Sequence, residues 1–277
     1  MIEVGPNSYG KSAIRLVKVD RNVTPHRVRD LTIAIALAGD FAASYAEGDN
    51  SAVIATDTMK NTCYALAGEH LTGPIEAFGL SLARHFLDAG SEVETATVSI
   101  DEVAWLPIGS APDAFRRDAS ERRTAVVAAG RRETTVRAGI RDLAVMKTTR
   151  SAFAGFPRDR FTTLAETDDR IMATKVTGSW AYADPGSVDF DRSYAGVRST
   201  FLEVFADHHS VSVQASIWIL GKAVLEACPE VAEISMSLPN LHHWTVDLKP
   251  FGMANDREIY VATTEPHGLI EATIRRT

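Results

Sequence analysis

Two adjacent histidine pairs, His208–His209 and His242–His243, are the first groups in the chain whose types suggest chemistry. Neighbouring residues on a strand point to opposite faces, so neither pair makes a ready metal clamp. No His-Glu-x-x-His and no paired Cys-x-x-Cys spacing occurs, so zinc is not signalled. Gly-x-Gly-x-x-Gly, a Walker loop and the Gly-x-Ser-x-Gly elbow are also absent. Dinucleotide and nucleotide binding therefore have no support, and the nucleophile elbow of an α/β-hydrolase is not signalled. Any redox chemistry in this chain is expected to run without flavin or metal.

Local patterning does single out two places. On an extended segment 241–248, residues 242, 244, 246 and 248 share one face; they are His, Trp, Val and Leu. His242 then points with the apolar set, and His243 points with Thr245 and Asp247 toward solvent. The plain alternative for His242 is a satisfied core histidine. The second place is Val213–Gln214, at the start of a helix expected over 214–227. A helix's first turn carries unpaired N–H groups and a partial positive charge, which suits an anion. The alternative for Val213 is a buried aliphatic.

The elements that must position these groups read from periodicity. Segment 12–19 is rich in β-formers, and after a turn around Asn22–Pro25 a second strand is expected near 28–38. Segment 51–56 reads as extended. A helix fits 74–89, with Pro74 at its first position, Gly90 just past its end, and Ile75, Phe78, Leu82 and Phe86 forming one stripe. Strands follow near 93–106 and 121–129. In the second half, 132–149 reads as two strands joined near Gly139–Asp142, and 171–183 is extended. Helices fit 191–207 and 214–227, the second stopped by Pro229. Final strands lie near 232–248 and 257–263. Each half thus reads strand, strand, helices, strand, strand. Short connections imply antiparallel pairing with helices on one face, an α+β class, with a boundary near 130.

Composition narrows the function classes. The chain has 277 residues, 45% of them hydrophobic and 23% charged, with a net charge of −7. Those values suit one large domain or two modest ones and exclude a disordered or low-complexity chain. A mildly acidic balance without a basic stripe argues against nucleic acid as a partner. No window approaches eighteen apolar residues, so no membrane span is expected. Cys63 and Cys228 do not make a disulfide framework. No charged-then-apolar leader opens the sequence, and Arg275-Arg276-Thr277 is not a peroxisomal address. A reduced, cytoplasmic protein is expected.

Six motifs then carry a resemblance. They are Tyr9-Gly10-Lys11 before the strand Arg15–Val19, and Ala55-Thr56-Asp57-Thr58 with Lys60-Asn61-Thr62. The third is Phe153 to Thr163 (FAGFPRDRFTT) with Glu166-Thr167 and Asp169-Arg170-Ile171. The others are Ser212-Val213-Gln214-Ala215, Ser237-Leu238-Pro239-Asn240 with His242, and Gly268-Leu269-Ile270. In that order and spacing the chain resembles the urate oxidase (uricase) family over essentially its full length. The resemblance implies two tandem tunnelling-fold (T-fold) domains, 1–130 and 131–277, assembling into a homotetrameric barrel with active sites at subunit interfaces. It implies cofactor-free oxidation of urate by O2 and water to 5-hydroxyisourate and hydrogen peroxide, in purine breakdown.

It also implies roles that fit the side-chain chemistry. Urate is a planar, anionic, amide-rich purine. Arg170 offers a planar guanidinium fork for an anionic edge. Gln214 offers one acceptor and two donors. Phe153 offers a flat face for stacking, and the Val213 N–H a backbone contact. Without the resemblance, Arg170 reads as an ion-pair partner of Asp168 or Asp169, and Phe153 as core. Lys11 and Thr56 become the proton-handling pair, with Asp57 orienting the loop or touching substrate. A lysine in water holds its proton to a pKa of ~10.4, so a basic role calls for burial or a neighbouring cation. The alternatives are a solvated strand-start lysine and a threonine helix cap. His242 joins the proton relay, and Asn240 stands beside the oxygen and water site. The implied course is deprotonation of urate, electron transfer to oxygen, radical recombination to a peroxide adduct, loss of peroxide and addition of water. Two other readings compete. A cyclohydrolase or reductase of the same fold calls for a zinc set or reactive cysteine that no motif supplies. A purine-binding paralogue that lacks activity calls for loss of Lys11, Thr56 or His242, all of which are present.

Overall fold

The computed structural model describes residues 2–263 and 265–277. Its long strands are β1 (Ser8–Asp20), β2 (Arg27–Gly39), β3 (Val93–Pro107), β4 (Phe115–Gly130), β5 (Thr134–Lys147), β6 (Met172–Tyr182), β7 (Val231–Leu241) and β10 (Gly268–Arg275). They hydrogen-bond in the order β1-β2-β3-β4-β5-β6-β7-β10. The pairs β1–β2, β2–β3, β3–β4 and β7–β10 are antiparallel. A short antiparallel ribbon joins β8 (His243–Thr245) to β9 (Tyr260–Ala262). The helices are α1 (Ala42–Ala46), α2 (Thr56–His70), α3 (Ile75–Ala89), α4 (Phe190–Asp207) and α5 (Val213–Ala227). The expected α+β class, a large antiparallel sheet with few helices, is what the chain forms. Among the described residues no helix is long and apolar enough to cross a membrane.

The chain divides into two compact units. The first runs to Ile140 and includes Ser179–Tyr194; the second is Arg141–Gly178 with Ala195–Thr277. In the first, α3 lays Ile75, Phe78, Leu82 and Phe86 against β3 and β4, all at most 1% exposed. Full burial of each such side chain stabilises by roughly 1.5–3 kcal/mol. Pro74 stands at the N-cap, one place before the expected first position, and Gly90 closes the helix. Under α3 lies a charged pair. Glu76, fully buried, receives two hydrogen bonds from Arg123, whose guanidinium also reaches Asp191 and covers the Tyr194 ring.

In the second unit, α5 buries Val213, Ser216, Ile217, Leu220, Gly221, Val224 and Leu225 against β7 and β10. Gly221 allows that approach, because a Cβ there would stand 2.5 Å from Ile274. Close packing of α5 fixes where its N-terminus ends.

Three expectations change. Residues 51–55 form turns and irregular chain, and α2 begins at Thr56, where a strand was expected. That helix buries only Met59, Cys63 and Ala67, a narrow strip of modest side chains. Segment 134–147 is one strand, not two: Asp142 takes a positive φ of 67° without interrupting it. The C-terminal segments expected near 232–248 and 257–263 resolve into β7, β8 and β9, and a further strand, β10, pairs with β7.

Candidate functional site

The second unit holds a cavity of about 600 Å³ whose wall includes Phe153, Arg170, Val213, Gln214, Asn240 and His242. Three pieces of chain carry these residues. The first is a pair of irregular segments held side by side. Phe153 N–H donates to the Thr167 carbonyl at 2.8 Å, Thr167 N–H returns to Phe153 at 3.1 Å, and Arg170 N–H donates to the Ser151 carbonyl at 2.8 Å. This seats the Arg170 guanidinium over the Phe153 ring, 5.4 Å from its centroid, while Phe153 stacks on Phe156 at 5.0 Å.

Arg170 does not form the ion pair with Asp169 that stood as the alternative to a binding role. That carboxylate accepts from the Thr149 hydroxyl (2.8 Å) and the Arg150 N–H (2.9 Å), and it pairs with Arg257 (3.2 Å). Its pKa is held below the usual carboxylate range, first by the Thr149 hydrogen bond. Arg170 is left half-buried, with its Nε shielded from solvent and without a hydrogen-bond partner among the described residues. Burial lowers its pKa. A desolvated cation with a spare donor is a receptor for an anion.

The second piece is the N-terminus of α5. Ser212 caps it, its Oγ accepting from Ala215 N–H at 3.0 Å. Val213 is buried at 4% exposure and Gln214 is exposed. Both line the cavity at the positive end of the helix.

The third piece is the end of β7 together with the chain leading into β8. Asn240 Nδ2 lies 3.5 Å from His242 Nδ1, and the His242 ring stacks on Trp244 at 5.2 Å. His242 does share Trp244's side, yet not inside a strand: it sits between β7 and β8, half-buried, and Trp244 is 47% exposed. His243 turns to the cavity wall and not to solvent, its ring Nδ1 3.0 Å from the Leu241 carbonyl. The break in the strand at His242 is why two-residue alternation misplaced His243. Burial lowers the pKa of His242, assisted by the charges of Arg170 and His267. Arg257 and Tyr260 also line the cavity, and nothing in their local sequence marks them.

Lys11, Thr56 and Asp57 lie in the first unit and do not line this cavity. They are set by β1 and α2. Lys11 pairs with Ile35 and Ile14 with Ile33, so β1 spends three residue steps where β2 spends two. Ala13, at φ 56°, takes up the surplus. Directly opposed residues share a face. The bulge therefore puts Lys11 on the same face as Ile14, Ile33 and Ile35, which a regular three-residue step reverses. Gly10, beside it, has no room for a Cβ, which would meet the Ile35 carbonyl. Thr56 is the first residue of α2 and not its cap, which is Ala55. The exposed Asp57 carboxylate is held low by Lys60, then by Asn61 and the charge of Lys11. Among the described residues no three His, Cys, Asp or Glu side chains converge to hold a metal.

A family model described as Uricase matches residues 7–128 and 136–271. The uricase of Arthrobacter globiformis is 46% identical over 275 residues, covering 99% of this chain and 90% of its own. The uricase of Dictyostelium discoideum is 36% identical over 278 residues, covering 98% and 96%. A crystal structure of the Arthrobacter globiformis uricase is similar at a TM-score of 0.96 and 46% identity, covering 100% of this chain and 96% of that one.

Proposed function

The chain belongs to the uricase family, and from that premise we propose how its residues act. It is an oxidoreductase that uses molecular oxygen to oxidise urate. The finer reaction proposed is urate, O2 and water going to 5-hydroxyisourate and hydrogen peroxide, with no cofactor. The observation that carries the site assignment is the Arg170 guanidinium: half-buried, its Nε without a partner among the described residues, and laid over Phe153. Arg170 binds the anionic edge of urate, Gln214 and the Val213 N–H take its amide edge, and Phe153 stacks on the ring.

Asn240 and His242, 3.5 Å apart, face this position and handle oxygen, water and a proton. His242 is kept neutral by burial and nearby cations, so it is able to accept a proton. Lys11 and Thr56, with Asp57 beside them, remove the further proton that urate gives up before it reduces oxygen. The tandem reading, T-fold domains 1–130 and 131–277, is supported by element order: two strands, two main helices and two long strands in each half. We propose a homotetramer in which Lys11, Thr56 and Asp57 of one subunit meet the Arg170 cavity of another.

The test is oxygen uptake by the purified chain given urate alone. Matched urate loss, oxygen loss and peroxide formation, unaffected by chelators, is the expected result. Activity that depends on added flavin or is abolished by chelation overturns the cofactor-free reading.

A further inference from the structure

A buried polar chain behind the cavity is used by none of the roles above. Ser216 is fully buried on α5, and Ser210 is 1% exposed in the segment before that helix. The two hydroxyl oxygens are 2.8 Å apart. Ser216 Oγ is also 2.8 Å from Nε2 of His208, whose Nδ1 is 2.9 Å from the Val204 carbonyl. A carbonyl only accepts, so Nδ1 carries the proton and Nε2 accepts from Ser216. Burial holds the pKa of His208 below its usual value, in keeping with a neutral ring.

This chain converges on one peptide. The Ser212 carbonyl accepts from Ser216 N–H at 3.0 Å and from the Ser210 hydroxyl at 3.2 Å, with Ser216 Oγ, whose one proton goes to His208, packed against both oxygens. The same peptide unit ends in the N–H of Val213. In a trans peptide the C=O and N–H point in opposite directions within one plane. Fixing the carbonyl toward the buried hydroxyls aims the Val213 N–H the other way. As a first-turn donor, that N–H has no acceptor within its own helix. Ser210 also grips the strand-like segment beside Arg170: its N–H donates to the Arg150 carbonyl at 2.9 Å, and its carbonyl accepts from Ala152 at 2.7 Å.

We propose that Ser216, Ser210 and His208 form a positioning network that orients the Ser212–Val213 peptide, and with it the backbone donor that recognises urate. They touch no substrate; they act through Val213. The inference rests on the site reading above, in which Val213 and Arg170 bind the purine.

The test measures urate binding under exclusion of oxygen, alongside KM, kcat and melting temperature. Ser216→Ala removes one oxygen and leaves the shape. It is expected to weaken urate binding by about tenfold, with KM following and kcat falling by a smaller factor. His208→Leu is expected to match it, while His208→Gln, which restores an acceptor for Ser216, recovers most of the affinity. The double variant Ser216→Ala/His208→Leu is expected to lose little more than either single change. Lowered melting temperatures with unchanged urate affinity in Ser216→Ala overturn the proposal and leave a purely structural network. If His208→Leu does not fold, Ser210→Ala and Ser216→Ala decide the matter alone. Arg170→Ala serves as the control. If it too leaves affinity unchanged, the site reading itself falls; if it alone weakens binding, only the positioning network falls.

Discussion

Replacing Arg170 with Met separates a binding cation from a structural one, because the two roles give opposite signs. Met keeps an apolar stem over Phe153 and removes the guanidinium. In the free protein, Arg170 is half-buried and its Nε is shielded from solvent without a partner among the described residues. An unsatisfied buried donor costs about 1–3 kcal/mol, and the cation–π contact with Phe153 returns about 0.5–1 kcal/mol. The free variant should therefore be as stable as the parent or up to about 2.5 kcal/mol more stable. Binding moves the other way. A hydrogen bond to a charged group is worth about 1.5–3 kcal/mol, so the urate Kd rises from about tenfold to a little over a hundredfold. The assay is a pair of thermal melts, with and without urate, under exclusion of oxygen. At a urate concentration of about 100 times the parent Kd, the parent gains about 2.7 kcal/mol from the ligand. A variant that binds a hundredfold more weakly gains about 0.4 kcal/mol. A free variant that melts several degrees lower while keeping the full ligand-induced shift would falsify the reasoning: it would show Arg170 holding the fold and not the substrate.

Lys11→Met should bind urate with near-parent affinity and lose turnover, read from stopped-flow binding set against steady-state rates. Refolded together, Lys11→Met and Arg170→Ala chains should regain activity toward about a quarter of the parent value if sites are shared and independent; verified mixed assemblies that stay inactive reject the shared site. His242 has a folded pKa below its unfolded value of ~6.5, so it contributes stability above that pH that is lost as pH falls through the folded pKa. His242→Asn should flatten the stability profile on the acid side of pH 6.5 and lower kcat by about a hundredfold; an unchanged profile and rate remove His242 from the relay. Glu76→Leu should destabilise by about 1.5–3 kcal/mol, since Arg123 loses its bonds to Glu76 while keeping Asp191, and the double change Glu76→Leu/Arg123→Leu should recover part of that loss in urea unfolding.

Sequence patterning reached furthest where one face of an element is broad and its ends are punctuated. Helix α3 is legible because Ile75, Phe78, Leu82 and Phe86 recur at helical spacing between Pro74 and Gly90. Helix α2 is not, because its buried strip is Met59, Cys63 and Ala67, too small and sparse to outweigh the β-formers just before it. Gly139 and Asp142 have turn chemistry, yet the sheet holds β5 through them as one strand. At the site, Val213–Gln214 at a helix start was legible from local pattern, whereas Arg170 was not. Its neighbours Asp168 and Asp169 suggest an ion pair, and only the tertiary partners of Asp169, namely Thr149, Arg150 and Arg257, explain why Arg170 is left without one. Arg257 and Tyr260 come from the chain beyond the β8 strand and carry no local signal at all.

The surplus residue in β1 has a consequence for how this chain tolerates change in length. In a regular strand, losing one residue turns everything beyond the gap to the other side of the sheet, as dropping one tooth from a zip offsets every later tooth. Between Lys11 and Ile14 the count already runs one over its partner strand. Removing Ala13, which holds an unfavourable left-handed conformation, brings the two strands into step and leaves Lys11 on the side it occupies now. Removing Arg15 instead sets Ile14 and Leu16 at odds with one another, because no slack exists there. The strand's slack thus lies wholly between Lys11 and Ile14, within two residues of the lysine.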